Sequence, residues 1–515
     1  MANKTFATIF IGSYEVSLKV FELTSKKKLH EIDHVRARID LGRDVYQTGH
    51  LGYEKVDELC DTLSEFVQIS EGYKSSHLEI YASSVIRDAS NELFILNQIQ
   101  IRTGLVVNVQ SNSEHRLVTY KSVAGRTAFE EMIQTSAAVV DLGGSGMQVT
   151  LFRKGSLITT QHIDIGTIRL RTLLGDRGLS LGKYMTEIEE FISKKVEVFC
   201  SLYLKEDVDY CIILNDYALE LSKKVGKKEQ EETVSAEKFI KYISKLQTKT
   251  LEGISAELKL SNDKDPLIIP TIMVFKSIVM NLKAHQVWIP KVNVNDGIAY
   301  NYCEKNQLIK ATHDFDADIL SASHELSRHF NSFSPHIEAL TAVCIKIFDS
   351  MKKIHGLGSR ERLLLEVATI LHDCGKFVSF ANSPQCAYNI IMSTEILGLS
   401  HLEREIVALT VLYNTLQLDD YSELSDRIDQ DSYLVVAKLS AILRVANALD
   451  QSHKQKFNNI RISVKGKELV ITVEAFEDIS LEQALFETKT AYFENVFSMK
   501  PVLKEKRIFM PVNKE

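Results

Sequence analysis

Apolar and polar residues follow two different periods along this chain. Phe6 to Phe21 is rich in apolar and β-branched residues and carries Gly12-Ser13 in its middle, which predicts a strand, a tight turn and a second strand. Between Glu54 and Val67 the apolar residues Val56, Leu59, Leu63 and Val67 recur at helical spacing and predict an amphipathic helix. Leu78 to Ala82 reads as a strand, followed by a helix around Asn91 to Arg102. A second hairpin starts at Ala137: an apolar strand runs into Gly143-Gly144-Ser145-Gly146, and Met147 to Phe152 returns. Lys223 to Ser235 is charged and turn-rich and reads as a surface loop. Beyond about residue 305, helical periodicity takes over from Ser321 to Leu449, with Ile337–Ile354 (after Pro335) and Arg360–Leu371 as amphipathic helices. The tail returns to β, because Arg461 to Lys465 and Leu469 to Val473 alternate around Gly466 as a hairpin. A mixed helix and strand end follows.

The two N-terminal halves each begin with strand, glycine turn, strand. That is a weak internal repeat, and it is the outline of a duplicated RNase H-like lobe of the actin/hexokinase type. The chain has 515 residues, which suits about three or four domains. The expected layout is an α/β lobe at 1–125, a second at 126–305, an all-α helical domain at 315–455 and a small α+β segment at 456–515.

Composition adds mainly exclusions. Hydrophobic residues are 45% and charged residues 25%, as in ordinary globular proteins. A net charge of −7 argues against a general nucleic-acid binder, while a local nest of backbone N–H groups still suits an anion. The seven cysteines are scattered and never in CxxC spacing, which argues for a reducing compartment and against a thiolate zinc site. The most apolar run, Leu267 to Met280, is interrupted by Pro270 and Lys276, and no run approaches the ~18 apolar residues of a membrane span. A cytoplasmic protein without membrane contact is the expectation.

The strongest local chemistry is Asp141-Leu-Gly-Gly-Ser-Gly146. Glycines after a strand let backbone N–H groups approach an anion with no side chain in the way. Asp141 at the strand end suits orientation of a hydrated divalent cation on phosphate. A plain hairpin turn with a solvated aspartate explains the same residues. The earlier turn, Ile11-Gly12-Ser13, is weaker alone, since Phe10 before it has no metal-binding atom.

Taken in order, these segments resemble the Ppx/GppA family of exopolyphosphatases and guanosine pentaphosphatases. The family's opening D-x-G-S-N-S is similar to Phe10-Ile-Gly-Ser-Tyr-Glu15. Its A-T-S-A-x-R-x-A-x-N stretch is similar to Ala82 through Asn91, with Arg87 in the arginine position. Its S-G-x-E-E-A-R-L stretch is similar to Ser111 through Leu117, and its D-I-G-G-G-S-T-E turn to Asp141 through Gln148. Gly166-Thr-Ile-Arg169-Leu resembles a further loop, and Leu267–Pro270 with Asn295-Asp-Gly297 the end of the second lobe.

The resemblance implies hydrolysis of the terminal phosphoanhydride of polyphosphate or of pppGpp. It implies Glu114 as the general base, Gly12, Ser13, Arg87, Gly143, Gly144 and Ser145 as phosphate contacts, Asp141 as a metal ligand, Mg²⁺ as the cofactor and a homodimer as the assembly. Glu114 also suits a plain helix N-terminal acid, and Arg87 a partner of Asp88 or Asp141. Two acidic positions of the family are replaced, by Phe10 and Gln148; Tyr14 and Glu15 stand for Asn-Ser, and Ser145-Gly146 inverts a Gly-Ser pair. Fewer carboxylates weaken a metal site for phosphoryl transfer. A second reading therefore stands beside hydrolysis: a degenerate protein that binds a nucleotide or polyphosphate and signals by closure. A purely structural interaction protein ranks third.

The helical region resembles an HD-type domain, whose metal site combines a distant His, a His-Asp pair and a later Asp. Here these are His336 and His372-Asp373, but Asn447 stands for the later Asp. Ser383–Tyr388 replaces the family's histidine-rich stretch, and Tyr413-Asn414-Thr415 its Tyr-His-Arg. The expectation is an HD fold with an empty, degenerate site and Asp450 as a helix-end or interface carboxylate. The resemblance further implies that this domain lengthens a polyanion channel, with Lys376, Arg444 and Lys454 as candidate contacts.

Overall fold

The computed structural model describes residues 4–25, 27–174, 181–225, 233–260, 266–475 and 477–507. The chain forms two compact units, Met1–Asp314 and Phe315–Glu515.

The first unit holds two sheets of the same plan. β1 (Lys4–Ile11), β2 (Glu15–Leu23), β3 (Leu29–Arg38), β4 (Leu78–Ala82) and β5 (Asn108–Val109) form a sheet of order β3-β2-β1-β4-β5. β6 (Ser136–Leu142), β7 (Met147–Arg153), β8 (Ser156–Ile163), β9 (Tyr210–Leu214), β10 (Thr233–Ser235) and β11 (Gln286–Trp288) form a second of order β10-β11-β9-β6-β7-β8. In each, the first three strands pair antiparallel, and the first strand also pairs parallel with the strand that follows the intervening helices. The repeat seen in the two hairpins is thus a duplicated lobe, with a further parallel pair in each, β4–β5 and β9–β11.

Burial explains the pattern. Ala7, Ile9 and Ile11 from β1 and Val16, Leu18 and Val20 from β2 pack with Val56, Leu59 and Leu63 of the helix Tyr53–Gly72. Alternate strand residues meet the apolar stripe of a helix, as the two periods require. The long helix Ile268–Asn281 is apolar nearly all round because it lies in the second lobe's core. Pro270 sits in its first turn, where an N–H would have no intrahelical acceptor and none is lost. Among the described residues no helix is long and apolar enough to cross a membrane.

The helix Val294–Lys305 returns to the first lobe, where Ala299 and Cys303 pack with Phe6 and Phe21. Lys19, almost fully buried on β2, anchors its start, reaching Asp296 at 2.8 Å and Glu31 at 2.7 Å. Burial pulls the lysine pKa down, but the two carboxylates outweigh it and hold it above the ordinary value.

The expected loop at Lys223–Ser235 is corrected at both ends. A helix spans Asp216–Val225 and a strand Thr233–Ser235, and the residues between lie outside those described.

In the second unit helices pack around one core, with Leu340, Ile347, Leu364, Ile370, Leu409 and Leu443 fully or nearly buried. The helix Ser334–Ser350 covers most of the first apolar block, which breaks at Met351 before a short helix Lys352–His355, and Ser359–Leu371 covers the second. β12 (Phe457–Lys465) and β13 (Glu468–Ala475) form the expected hairpin, with Gly466 at φ 59° in its turn. The helix Ser480–Phe497 then crosses to β14 (Lys500–Arg507), which pairs parallel with β13.

Candidate functional site

Both glycine turns close in the same way. Gly12 N–H donates to the Glu15 carbonyl at 2.9 Å, and Gly143 N–H to the Gly146 carbonyl at 2.9 Å. Each turn is then backed by the start of a short helix, Leu41–Thr48 or Thr167–Leu174. Gly42 N–H binds the Ser13 carbonyl at 2.6 Å, while Thr167 and Ile168 N–H bind the Gly143 and Gly144 carbonyls at 3.1 Å. A trans peptide points its N–H opposite its C=O. With the carbonyls drawn back toward the helix, the N–H groups of Gly144 and Ser145 point the other way, and no acceptor among the described residues takes them. Gly166 is required for this fit, since a Cβ there would overlap the Gly144 carbonyl.

The turns face each other. A Cβ at Gly144 would stand 3.0 Å from Ser13 Cβ and 2.7 Å from Ile168 Cδ1. Ser84 Oγ of the first lobe lies 3.2 Å from Ser145 Oγ of the second. Between them lies a cavity of about 230 Å³, lined among others by Gly12, Ser13, Glu15, Asp141, Gly143 and Asn295. A second cavity of about 390 Å³ shares Ser84, Arg87, Asn112, Ser145 and His162 with it and adds Arg169 and Asp164.

The floor of the cleft is aromatic. The Phe10 ring stacks on His115, centroids 5.4 Å apart and planes 18° from parallel. His115 Nε2 stands 3.9 Å from Asp141 Oδ2. Burial pushes the His115 pKa down to about 4, with Arg116 and Arg87 adding to the effect, so the ring is neutral at pH 7. Burial raises Asp141 to about 6, against the Thr119 hydroxyl and the Arg116 charge, which lower it. Gln148 sits opposite Asp141 across the β6–β7 pair, and its Nε2 lies 3.0 Å from His162 Nδ1.

The remaining expected residues take these places. Gly12, Ser13, Gly143, Gly144, Ser145, Arg87 and Asp141 all line the cleft. Arg87 is engaged with its own lobe: Nη1 donates to the Gln110 carbonyl at 2.7 Å, Nη2 to Asn112 Oδ1 at 2.8 Å and Nε to Asp88 at 3.2 Å. Glu114 is absent from the lining. It closes a capping box on the helix Asn112–Ala124, accepting from Ser111 N–H at 2.9 Å. Asn112, His115 and Thr119 form that helix's cleft face, and at 100° per residue Glu114 falls on another side. His162 and Asn215 also line the cleft and had no sequence signal, while Glu15, His115 and Asn295 line it from within matched stretches that had not singled them out. Their approach is set by helix faces and chain crossings that no local motif encodes.

Mg²⁺ has few donors here. Asp141 and Glu15 are the carboxylates lining the cleft, and among the described residues no three His, Cys, Asp or Glu donors converge there. A protein-built Mg²⁺ site does not fit, because Phe10 fills the position that mirrors Asp141 in the repeat.

In the second unit, His336, His372 and Asp373 lie close together, with Asp450 at the end of the helix Gln430–Ala448 bonded to His336. Lys376 is bound to Asp373 at 2.7 Å, Arg444 donates to the Tyr413 carbonyl at 2.6 Å and stacks on Tyr492, and Lys454 is exposed.

The two lobes form a duplicated actin-like pair with facing glycine turns, and comparison with known proteins gives their family. The Ppx/GppA phosphatase family model matches residues 20–306, and the model of Ppx/GppA phosphatase domain III matches 321–490. The chain belongs to the Ppx/GppA phosphatase family. A guanosine-5'-triphosphate,3'-diphosphate pyrophosphatase of Photobacterium profundum is 19% identical over 477 residues, covering 91% of this chain and 92% of that protein. Among solved structures, an exopolyphosphatase from Cytophaga hutchinsonii superposes with a TM-score of 0.52 at 14% identity, covering 60% of this chain and all of that one. The Aquifex aeolicus family member gives 0.50 at 19% identity, covering 61% of this chain and all of that one.

Proposed function

We propose that the cleft holds the terminal phosphates of polyphosphate or of a guanosine polyphosphate such as pppGpp, and that the chain is an exopolyphosphatase-type phosphohydrolase with turnover limited by its lost carboxylates. The observation that carries this reading is the second of the two facing turns, whose Gly143 and Gly144 carbonyls are tied back, leaving the Gly144 and Ser145 amides for an anion. Such preorganised donors stabilise charge without reorganisation at the moment of reaction. The adjoining cavity, with Arg169 at its wall, supports a path for the rest of a phosphate chain.

Asp141 is the carboxylate of the cleft best placed to take a proton from water, since burial brings its pKa to about 6, near the working range of a general base. His115 orients nothing by charge; as a neutral ring under Phe10 it shapes the floor.

A second reading, ligand binding with negligible turnover, is favoured by the Phe10–His115 stack in place of an acidic pair. The two are separated by phosphate release from long-chain polyphosphate and from pppGpp, measured beside calorimetric titration of both. Wild type releasing phosphate, with loss in Asp141→Asn, supports hydrolysis. Binding without release supports the second reading. A flat titration with every ligand removes both. The double variant Phe10→Asp with Gln148→Glu restores the missing acids, and a gain of Mg²⁺-dependent release of roughly tenfold or more is expected. The homodimer belongs to this proposal as well, and sedimentation measures it.

A further inference from the structure

The helix Glu92–Thr103 of the first lobe buries one apolar side and leaves another bare. Ile95 and Ile99 point into the lobe, where both are fully or nearly buried. At 100° per residue the opposite side centres on Asn97, with Leu93 and Ile101 about 40° to either side and Phe94 about 60° away. Leu93, Phe94 and Ile101 are 78%, 76% and 70% exposed, and Val106, just past the helix end, is 75% exposed. No charged residue occurs from Leu93 to Ile101. A surface helix ordinarily turns charges outward, and one that is apolar on both sides is covered on both.

The size and chemistry of this face select its cover. Four large apolar side chains at that exposure leave on the order of 500 Å² of apolar surface, as much as the largest patch of a typical monomer. Two such faces together remove roughly 1,000 Å² from water, the least that a specific interface needs. A lipid surface suits the face poorly. Asn97, Gln98 and Gln100 would lose water there without gaining partners, and the nearby cation Arg102 is tied to Asp57 and Asp61 on the flank. A second copy of the same helix suits it well. Leu93 and Ile101 stand four residues before and after Asn97, so a two-fold axis through Asn97 sets Leu93 of one copy against Ile101 of the other. An amide both donates and accepts, so Asn97 can pair with itself across that axis.

We propose that a second copy of this chain packs on the outer face of the helix Glu92–Thr103, the two helices antiparallel about Asn97 and sealed by Leu93, Phe94, Ile101 and Val106. A single polar residue at the centre of an apolar helix seam fixes register and orientation, which is the part Asn97 takes here. Arg102 with Asp57 and Asp61 forms the charged rim that such an interface carries. The proposal gives the homodimer a face, and it stands whether or not the cleft turns over phosphate.

Sedimentation equilibrium of the full chain should show a dimer, and Ile101→Lys should weaken self-association by about tenfold or more, since it buries a cation facing apolar residues. Asn97→Cys tests the axis directly. A residue on a two-fold axis meets its own copy, so mild oxidation should link this variant into a covalent dimer. Wild type and Glu65→Cys, an exposed position on the neighbouring helix Tyr53–Gly72, should not link. Circular dichroism checks each fold, and Asn97→Cys carries the test if Ile101→Lys unfolds. A chain that stays monomeric, a dimer of unchanged affinity in Ile101→Lys, or linking of Glu65→Cys as efficient as that of Asn97→Cys would each overturn the assignment. So would a monomer that floats with phosphatidylcholine or phosphatidylglycerol vesicles, because the face would then belong to a membrane.

Discussion

Arg171 of the second lobe forks onto Asp40 of the first, Nη1 to Oδ2 at 3.0 Å and Nη2 to Oδ1 at 3.1 Å. Asp40 is the residue just before the helix that backs the first glycine turn, and Arg171 lies in the helix that backs the second. One planar, bidentate pair therefore sets the spacing of the two turns.

Arg171→Ala should loosen that spacing. The pair is partly exposed, so a loss of about 1–2 kcal/mol of stability is expected. Phosphate-chain affinity should fall more than this global loss suggests, because the amides no longer converge. Arg171→Lys keeps the charge but not the fork and should behave like the alanine variant in titration. Chemical denaturation beside calorimetry measures both.

Glu114→Gln tests what the capping box contributes. Glutamine still reaches the Ser111 N–H, so the expected cost is below about 1 kcal/mol. Since Glu114 lies off the cleft face, phosphate release should change less than in Asp141→Asn. A loss in Glu114→Gln equal to or larger than that in Asp141→Asn would return the base to Glu114.

Asp141 gives the cleft a pH signature. Its folded pKa of about 6 lies above the unfolded value of ~3.9. The folded state therefore holds the extra proton between those values, and this contribution to stability is present below about 4 and lost as pH rises through 6. His115 acts oppositely: its folded pKa of about 4 gives stability above the unfolded ~6.5 that is lost as pH falls toward 4. For an anionic ligand the Asp141 effect decides. Affinity should tighten on the order of tenfold from pH 7.5 to 5.5, and Asp141→Asn should flatten the profile.

Gly166→Ala should be among the most damaging single changes. Its new methyl group meets the Gly144 carbonyl and the Ser145 backbone, neither of which can turn aside. A loss of roughly 3 kcal/mol or more is expected in thermal or denaturant unfolding. Gly182→Ala, with open space around it, serves as the neutral comparison.

The residue string alone determined the repeat. Apolar, β-branched runs broken by Gly12-Ser13 and by Gly143–Gly146 favour hairpins, buried on both faces, and two such hairpins with helices between them outline the duplicated lobe. The helical blocks after 321 and the hairpin at Gly466 were legible for the same reason: backbone period and turn chemistry are local. Tertiary structure decided what faces what. Glu114 and His115 are neighbours in sequence, yet the helix rotation turns only His115 to the cleft. His453 lies far from His336 along the chain and carried no motif, and only the packing of helix ends brings their rings together. Motifs report which side chains are present, whereas a site depends on direction and distance, and those are set by the whole packed core.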